Sequence, residues 1–416
     1  MKKILSLFLC CLMVLTLTGC GGSNGDDITT YTYSSELDIK NLDSSDADDG
    51  CSLKAIHAVI DGLTKTDKKG NIVNGVAKSE ELSEDGLTHT YKLRKDVKWT
   101  NGDPVTAHDF VYAWQRIFRK KGSYYYMFAD GIASIEGAQE LSDKIDAGEE
   151  LTDDDLNSMG VKAVDDYTLE VKTTVRVSFF DELMAFPCFF PINEKFCEKQ
   201  GDKYGKSAKA ILGNGAFIMT NWEPGSIAEF KKNDDYYEAK TVKIEKLVMK
   251  LVQDPKVAAQ SFMAGETDYA PITSDLVDKY KDDESFKQVP EGFLYYLSVN
   301  FQNEDLANAN IRQAVSLSIN RNDLCEKVLK DGSSAATGFI PKGVATSPDG
   351  KDFREESGTY ITYSQSKAQQ ALDRGLKELG KSEIKLRITY GTDESPMDVI
   401  ETYIQNSLYK LKGIKV

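Results

Sequence analysis

Along residues 92–118, KLRKDVKWTNGDPVTAHDFVYAWQRIF, the spacing of apolar side chains switches from a period of two to a helical period. Tyr91, Leu93, Val97 and Trp99 keep an odd-numbered alternation, which sets one face of an extended strand against a core. Asn101-Gly102 and Pro104 supply turn chemistry and end the strand pair. Thr106, with Asp109 three residues on, reads as a helix N-cap, and Phe110, Val111, Trp114, Ile117 and Phe118 fall on one stripe of the helix that follows. At about 100° per residue, Tyr112 points away from the centre of that stripe, with Gln115 and Arg116 as its polar neighbours. A large ring placed there either covers a surface loop or forms the aromatic wall of a cleft.

Further on, strand-like runs over 242–252 and 293–300 alternate with helical runs over 310–319, capped by Asn310, and over 323–330, as expected of a mixed α/β chain. Near the end, 386–390 reads as a strand and 396–411 as an amphipathic helix with Val399, Ile400, Tyr403, Ile404 and Leu408 inward. Gly413 stops that helix, and 414–416 begins the return strand of a βαβ unit. A strand left unfinished at the last residue predicts a sequence whose C-terminal part is missing.

The N-terminus has a different pattern. Lys2 and Lys3 precede an apolar run over 4–17 that is short of the roughly 20 residues of a membrane span, and small residues follow it, so 1–19 is predicted to be a cleaved signal peptide. Leu17-Thr18-Gly19-Cys20 resembles the lipobox of bacterial lipoproteins, whose cysteine carries the lipid. Residues 20–25 then form a lipidated cysteine and a flexible, glycine-rich tether. The alternative is an ordinary secretory signal with a chance cysteine.

Composition narrows the function classes. The chain has 416 residues, enough for two or three domains. Its formal charge of −15 becomes −17 when Lys2 and Lys3 leave with the signal, and such a surface repels phosphate backbones, which excludes nucleic acid as a partner. Of the seven cysteines, Cys51, Cys188, Cys197 and Cys325 remain after the signal and the anchor are set aside, too scattered for a disulfide scaffold. A Cys188–Cys197 bridge is possible, but Phe189, Phe190 and Phe196 around them favour two buried thiols. His57, His89 and His108 are the only imidazoles, and their spacing makes no metal pair. No hydrolase elbow, zincin helix or C-x-x-C occurs, so neither a catalytic residue, a metal site nor a cofactor is expected. The stretch 201–207 (GDKYGKS) is one residue short of a phosphate-binding loop. The acidic run Thr152-Asp153-Asp154-Asp155 reads as a helix N-terminus rather than a calcium loop.

The 92–118 block, together with Gly213-Asn214-Gly215-Ala216-Phe217 leading to Trp222 and Tyr236-Tyr237, Leu294-Tyr295-Tyr296 leading to Asn300, and Ile311-Arg312-Gln313-Ala314-Val315 leading to Asn320-Arg321, resembles the oligopeptide-binding lipoproteins among the family 5 solute-binding proteins of ABC importers. Most of these positions are glycines, prolines and capping residues, which mark fold more than ligand. The resemblance implies an α/β, two-lobed periplasmic-binding-protein-like clamshell of type II with an extra inserted domain. It places domain I at 26–60 and 174–270, domain II at 61–173, and an incomplete domain III at 271–416. It implies a monomeric, non-enzymatic receptor, lipid-anchored through Cys20 on the extracytoplasmic face of the cell membrane, whose partners are short peptides and the importer's permease and ATPase subunits. Peptides would be held by their main chain in an interlobe cleft. Tyr112 matches a ligand-facing tyrosine of the family; Asp49, Gly50 and Cys51 align with a loop offering backbone groups; Tyr269 and Ala270 occupy a ligand-contacting segment; Tyr295, Tyr296 and Asn300 lie on a strand near the cleft. The aspartate that holds the peptide's amino group and the strand that pairs with the peptide fall beyond residue 416. Peptide-pheromone sensing, surface adhesion, or a nickel- or haem-binding role on the same fold are the alternatives, and three histidines argue against the last.

Overall fold

The computed structural model describes residues 29–289, 291–347, 349–391 and 396–416. The predicted signal, Cys20 and the glycine-rich stretch lie outside the described residues. The chain divides into two compact units, Met1–Pro271 and Ile272–Val416. No helix among the described residues is long and apolar enough to cross a membrane.

Unit 1 runs β1 (Thr30–Ser35), α1 (Gly50–Val59), β2 (Thr64–Thr66), β3 (Ile72–Asn74), β4 (Ala77–Leu82), β5 (Thr88–Leu93), α2 (Ala107–Arg119), β6 (Val161–Asp165), β7 (Thr168–Lys172), β8 (Phe217–Glu223), β9 (Ile227–Lys232) and β10 (Lys246–Leu251). One sheet has the order β1-β10-β9-β8, with β1 parallel to β10 and the other pairs antiparallel. The other, β4-β5-β7-β6, is antiparallel throughout. All strands of the second sheet lie in sequence between β1 and β8, so it is an insertion into the first. The 242–252 run is thus a shorter strand, β10, bounded where its register with β1 and β9 stops.

The inserted sheet follows the period-two reading. His89, Tyr91 and Leu93 point inward from β5, and Val97 and Trp99 continue the buried row. After the turn at Gly102 (φ +93°), the Asp109 carboxylate accepts from the Thr106 N–H at 2.7 Å, the Thr106 hydroxyl at 3.1 Å and the Trp99 Nε1–H at 3.3 Å. That one side chain ties the end of the strand to the start of α2. Phe110, Trp114, Ile117 and Phe118 are fully buried along the predicted stripe. Trp114 donates to the Phe189 carbonyl at 2.9 Å and meets Phe128 and Phe189 edge-on. Cys188 and Cys197 are free and buried in this core, as their aromatic neighbours predict. Thr152 caps Asp153–Asn157 through Asp155, so the acidic run is a helix N-terminus.

Two close approaches bind the insertion to the first sheet. The loop after β1 brings Asp43, 3% exposed, against α2, where Arg116 donates to both carboxylate oxygens at 2.7 and 2.8 Å and Lys120 to one at 3.1 Å. Burial works to raise the Asp43 carboxyl, but the Arg116 hydrogen bonds and charge, with Lys120, hold it below its ordinary value. A Cβ at Gly122 would stand 1.7 Å from the Ser45 carbonyl oxygen, and one at Gly205 2.4 Å from the Asp43 nitrogen. The second approach is the Gly213-Asn214-Gly215 motif. Asn214 accepts from the Asp61 N–H at 2.8 Å and donates to its carbonyl at 3.2 Å, while Cβ atoms at either glycine would meet the Val59 backbone within 3 Å. Tyr236 and Tyr237 close the knot by donating to Asp61 Oδ2 at 2.6 and 2.7 Å.

Unit 2 packs α3 (Ala309–Ser318) against α4 (Gln365–Leu379), with β11 (Ile384–Lys385), α5 (Met397–Leu408) and β12 (Ile414–Lys415) completing a parallel βαβ unit. Its core holds Ile311, Ala314, Leu372, Leu376, Ile384, Ile404, Leu408 and Ile414; the helix ends at Leu408 with Tyr409 as its C-cap, before the expected stop, and Gly413 (φ +102°) turns the chain into β12 instead. Four further expectations need correction. Asn308, not Asn310, caps α3, accepting from the Asn310 and Ile311 N–H groups, while the Asn310 amide turns to Glu378 at 3.0 Å. Val399 is exposed, because α5 buries only the turns carrying Ile404 and Leu408. The strand expected over 386–390 is β11 instead, and pairing ends at the Leu386 N–H, which donates to the Lys415 carbonyl. Residues 293–300 form no strand, since no segment among the described residues pairs with them.

Asp43→Ala is expected to lower the unfolding free energy by about 3–5 kcal/mol, because it leaves Arg116 buried without its partner. The folded carboxyl titrates below the unfolded one, so its contribution is complete above the unfolded value near about pH 4 and is lost as pH falls through the folded value. Urea midpoints followed from neutral pH into acid should therefore drop less steeply for Asp43→Asn than for the parent. Parallel curves would show that the ion pair is not what holds this junction.

Candidate functional site

Ligands of open α/β sheets gather beyond the carboxyl ends of parallel strands, where loops and helix N-termini converge. In unit 1 that edge is the end of β1. β10 runs parallel to it on one side, and Tyr269 forms a parallel bridge with Tyr33 on the other, its carbonyl accepting from the Ser34 N–H at 3.0 Å. The chain leaves β1 through Glu36 and Leu37, passes the Asp43 anchor, and returns at Asp48–Cys51 to start α1 over the same edge.

Local chemistry fixes that return. Asp49 caps α1 with both oxygens committed to Ser52, accepting from its N–H at 2.9 Å and its hydroxyl at 2.6 Å. The Gly50 and Cys51 N–H groups, at the first two helical positions, have no intrahelical acceptor. Cys51 donates its thiol to the Leu37 carbonyl at 3.2 Å and lies 3.7 Å from Ser35 Oγ. Nothing stands within 4 Å of a Cβ built on Gly50, and its φ is not positive, so the fold itself does not demand a glycine there.

The structure adds an aromatic wall that sequence reasoning missed. The Tyr124 hydroxyl reaches the Asp48 carbonyl at 3.4 Å, the Ser123 hydroxyl reaches Asp48 Oδ2 at 3.4 Å, and the Tyr124 ring meets Phe186 edge-on at 5.2 Å. Tyr126, 6.2 Å from Tyr124 between centroids, is half exposed, as is Tyr269. The signal for this wall was Tyr124-Tyr125-Tyr126, a run of rings outside any periodic element.

The structure therefore gathers Asp49, Gly50, Cys51, Tyr269 and Ala270 at one edge. Tyr112 meets different groups. Its phenol bonds with the Cys197 thiol, and burial followed by that contact pushes it up from its ordinary value. It lines a polar hollow of about 550 Å³ with Asp43, Gln115, Arg116, Lys206 and others. Tyr295, Tyr296 and Asn300 belong to unit 2. Both tyrosines are exposed, and Asn300 Oδ1 accepts from the Gln302 N–H in a turn.

Burial raises the Cys51 thiol and pushes the Tyr33 phenol up to about 12, so neither supplies a nucleophile at neutral pH. Burial also raises the Glu36 carboxyl. No group of three or more His, Cys, Asp or Glu converges as a metal site among the described residues. The edge presents backbone donors at a helix start, tyrosine faces and carboxylates, a set suited to an extended, polar, main-chain-like ligand.

The fold and this edge define a solute-binding protein of the periplasmic type. Residues 71–416 match the model of the bacterial extracellular solute-binding proteins, family 5 Middle, and the chain belongs to that family. It is 32% identical over 366 residues to the dipeptide-binding protein DppE of Bacillus subtilis, covering 88% of this chain and 65% of that protein. With the oligopeptide-binding protein OppA of the same organism it shares 31% identity, covering 100% of this chain and 77% of that one. Among solved structures, Listeria monocytogenes OppA bound to peptide superposes with a TM-score of 0.78 at 31% identity, covering 94% of this chain and 76% of that chain.

Because Gly50 is not needed by the fold, Gly50→Val is expected to unfold within about 0.5 kcal/mol of the parent in urea. A larger loss would mean that the glycine serves packing instead of an approaching ligand.

Proposed function

We propose that this chain is the extracytoplasmic substrate-binding subunit of an ABC importer, capturing short peptides by their main chain and delivering them to the membrane subunits. The observation that carries this reading is the convergence of the open α1 N-terminus, the Tyr124 wall and Tyr269 at the carboxyl end of β1. The printed names of the relatives, dipeptide- and oligopeptide-binding proteins, support it. On this reading 26–60 with 174–270 and the inserted 61–173 form one peptide-holding lobe, and 271–416 belongs to the other. On this reading the protein is a receptor and not an enzyme, which its membership of a solute-binding family supports. His89 is bound to Glu80 at 2.5 Å, and His57 packs edge-on against Phe190, which leaves no paired histidines for nickel or haem. A sensing role shares the same ligand class, since the pheromone receptor PrgZ has this fold at a TM-score of 0.77 and 27% identity.

Calorimetry of refolded, ligand-stripped protein should show binding of peptides of two to about eight residues, weakened at least roughly tenfold by acetylating the peptide's amino group. Gly50→Val should weaken it comparably without a stability loss. Binding of nickel or haem with silence toward peptides would overturn the reading.

The lipid anchor on Cys20 belongs to the same proposal. In a bacterial host, Cys20→Ser is expected to move the protein from the membrane fraction to the soluble extracytoplasmic fraction. Retention in the membrane would remove Cys20 from that role.

A further inference from the structure

Away from the β1 edge, the inserted sheet gathers four titratable side chains on one face. Glu80 lies opposite Tyr91 in the register of β4 and β5, and His89 sits two residues before Tyr91 on the same side. His89 and Tyr91 are buried. His89 Nδ1 stands 2.5 Å from Glu80 Oε1, and its Nε2 is buried without a partner among the described residues, so the ring carries its proton on Nδ1 and donates it to Glu80. The same ring stacks on Phe180 at 4.2 Å, where the short helix Phe180–Leu183 begins. One residue on, Asp181 Oδ1 accepts from the Tyr91 hydroxyl at 2.9 Å, and the Asp181 carboxyl comes within hydrogen-bonding reach of Glu80. Both acids are half-buried. Two ionised carboxylates can only accept, and they repel, so a pair this close holds together by sharing a proton. Burial raises the Asp181 carboxyl and the charge of Glu80 raises it further, while the His89 hydrogen bond keeps Glu80 below its ordinary value. The shared proton therefore resides on Asp181, faced by Glu80 from β4 and by His89 and Tyr91 from β5.

We propose that this shared proton is a pH-sensitive lock that fastens the 180–186 segment to the inserted sheet, and that its loss on raising the pH loosens the Tyr124 wall. The reach is short. The Leu183, Met184 and Phe186 N–H groups donate to the Phe179, Phe180 and Leu183 carbonyls, so the chain from Asp181 to Phe186 moves as one turn. Phe186 is the ring that meets Tyr124 edge-on at 5.2 Å. A carboxyl that titrates higher when folded contributes fully below its unfolded value, near about pH 4, and that contribution is lost as pH rises through the folded value. Glu80 acts in the opposite sense, its contribution being lost as pH falls through its own lowered value. Once Asp181 has ionised, both acids carry charge at close range, and their repulsion opens the lock.

Asp181→Asn keeps an acceptor for Tyr91 and a donor for Glu80 without a titrating proton. Hydrogen exchange of the unliganded protein should find the 181–186 amides equally protected in parent and variant near about pH 4, and at least roughly threefold less protected in the parent near about pH 9, with the same divergence at the 124–127 amides. Glu80→Gln removes the other charge and should behave as Asp181→Asn does, which keeps the test decisive if one variant folds poorly. The effect on binding rests on the peptide reading. In calorimetry at alkaline pH the parent should bind a given peptide at least roughly threefold more weakly than Asp181→Asn, the two converging in acid. Silence toward peptides with the exchange pattern intact would remove the peptide reading and leave the lock standing. Equal protection of parent and both variants at every pH overturns the lock, and a divergence confined to 181–186 overturns its reach to the wall.

Discussion

A single buried carboxylate sets the frame for unit 1. Asp43 sits on the loop between β1 and α1, and its partners Arg116 and Lys120 sit at the end of the inserted helix, 73 and 77 residues away in the chain. From that point the chain runs one way to the Asp48–Cys51 return and the other way, through Gly122, to the Tyr124 loop. The two halves of the candidate site are positioned from one ion pair. Because Gly122 and Gly205 let backbone close onto the Asp43–Ser45 loop, the carboxylate is nearly buried, and its pair with Arg116 is held more firmly than an exposed pair would be.

Much of the inserted sheet and helix was legible because their signals are local. The alternation through Tyr91, Leu93, Val97 and Trp99, the Thr106–Asp109 cap and the Phe110–Phe118 stripe are each set by neighbours within a few residues. Where partners are distant, the reading thinned. Residues 293–300 have a strand's composition, yet a strand exists only by pairing, and pairing is not written in the segment. The Asn310 cap failed because the helix already begins two residues earlier, where Asn308 accepts from the Asn310 and Ile311 N–H groups. Asp43 looked like one more acid in an acidic chain, since nothing local announces Arg116.

The site was half legible for a similar reason. Resemblance supplied Asp49, Gly50, Cys51, Tyr269 and Ala270, and the β1 edge brings them together. A helical wheel places Tyr112 off the core stripe but says nothing of what lies beyond it, and what lies there is Cys197 and a polar hollow. Tyr124 and Tyr126 carry no periodicity, so their importance is visible only once the loop after α2 is seen against Asp48. On the proposed reading, an edge of backbone donors, rings and half-buried acids would tolerate varied side chains, because main-chain groups are common to every peptide.

The nesting of the two sheets also orders events in time. β1 is made first, but its only strand partner in the sheet, β10, lies more than 200 residues later, whereas β4 to β7 pair only within 77–172. Local contacts close faster than distant ones. The inserted sheet thus matures while β1 waits as a bare edge, and the slow step of building unit 1 is the capture of that waiting strand. For a chain crossing a membrane N-terminus first, this leaves the earliest segment the last to be secured.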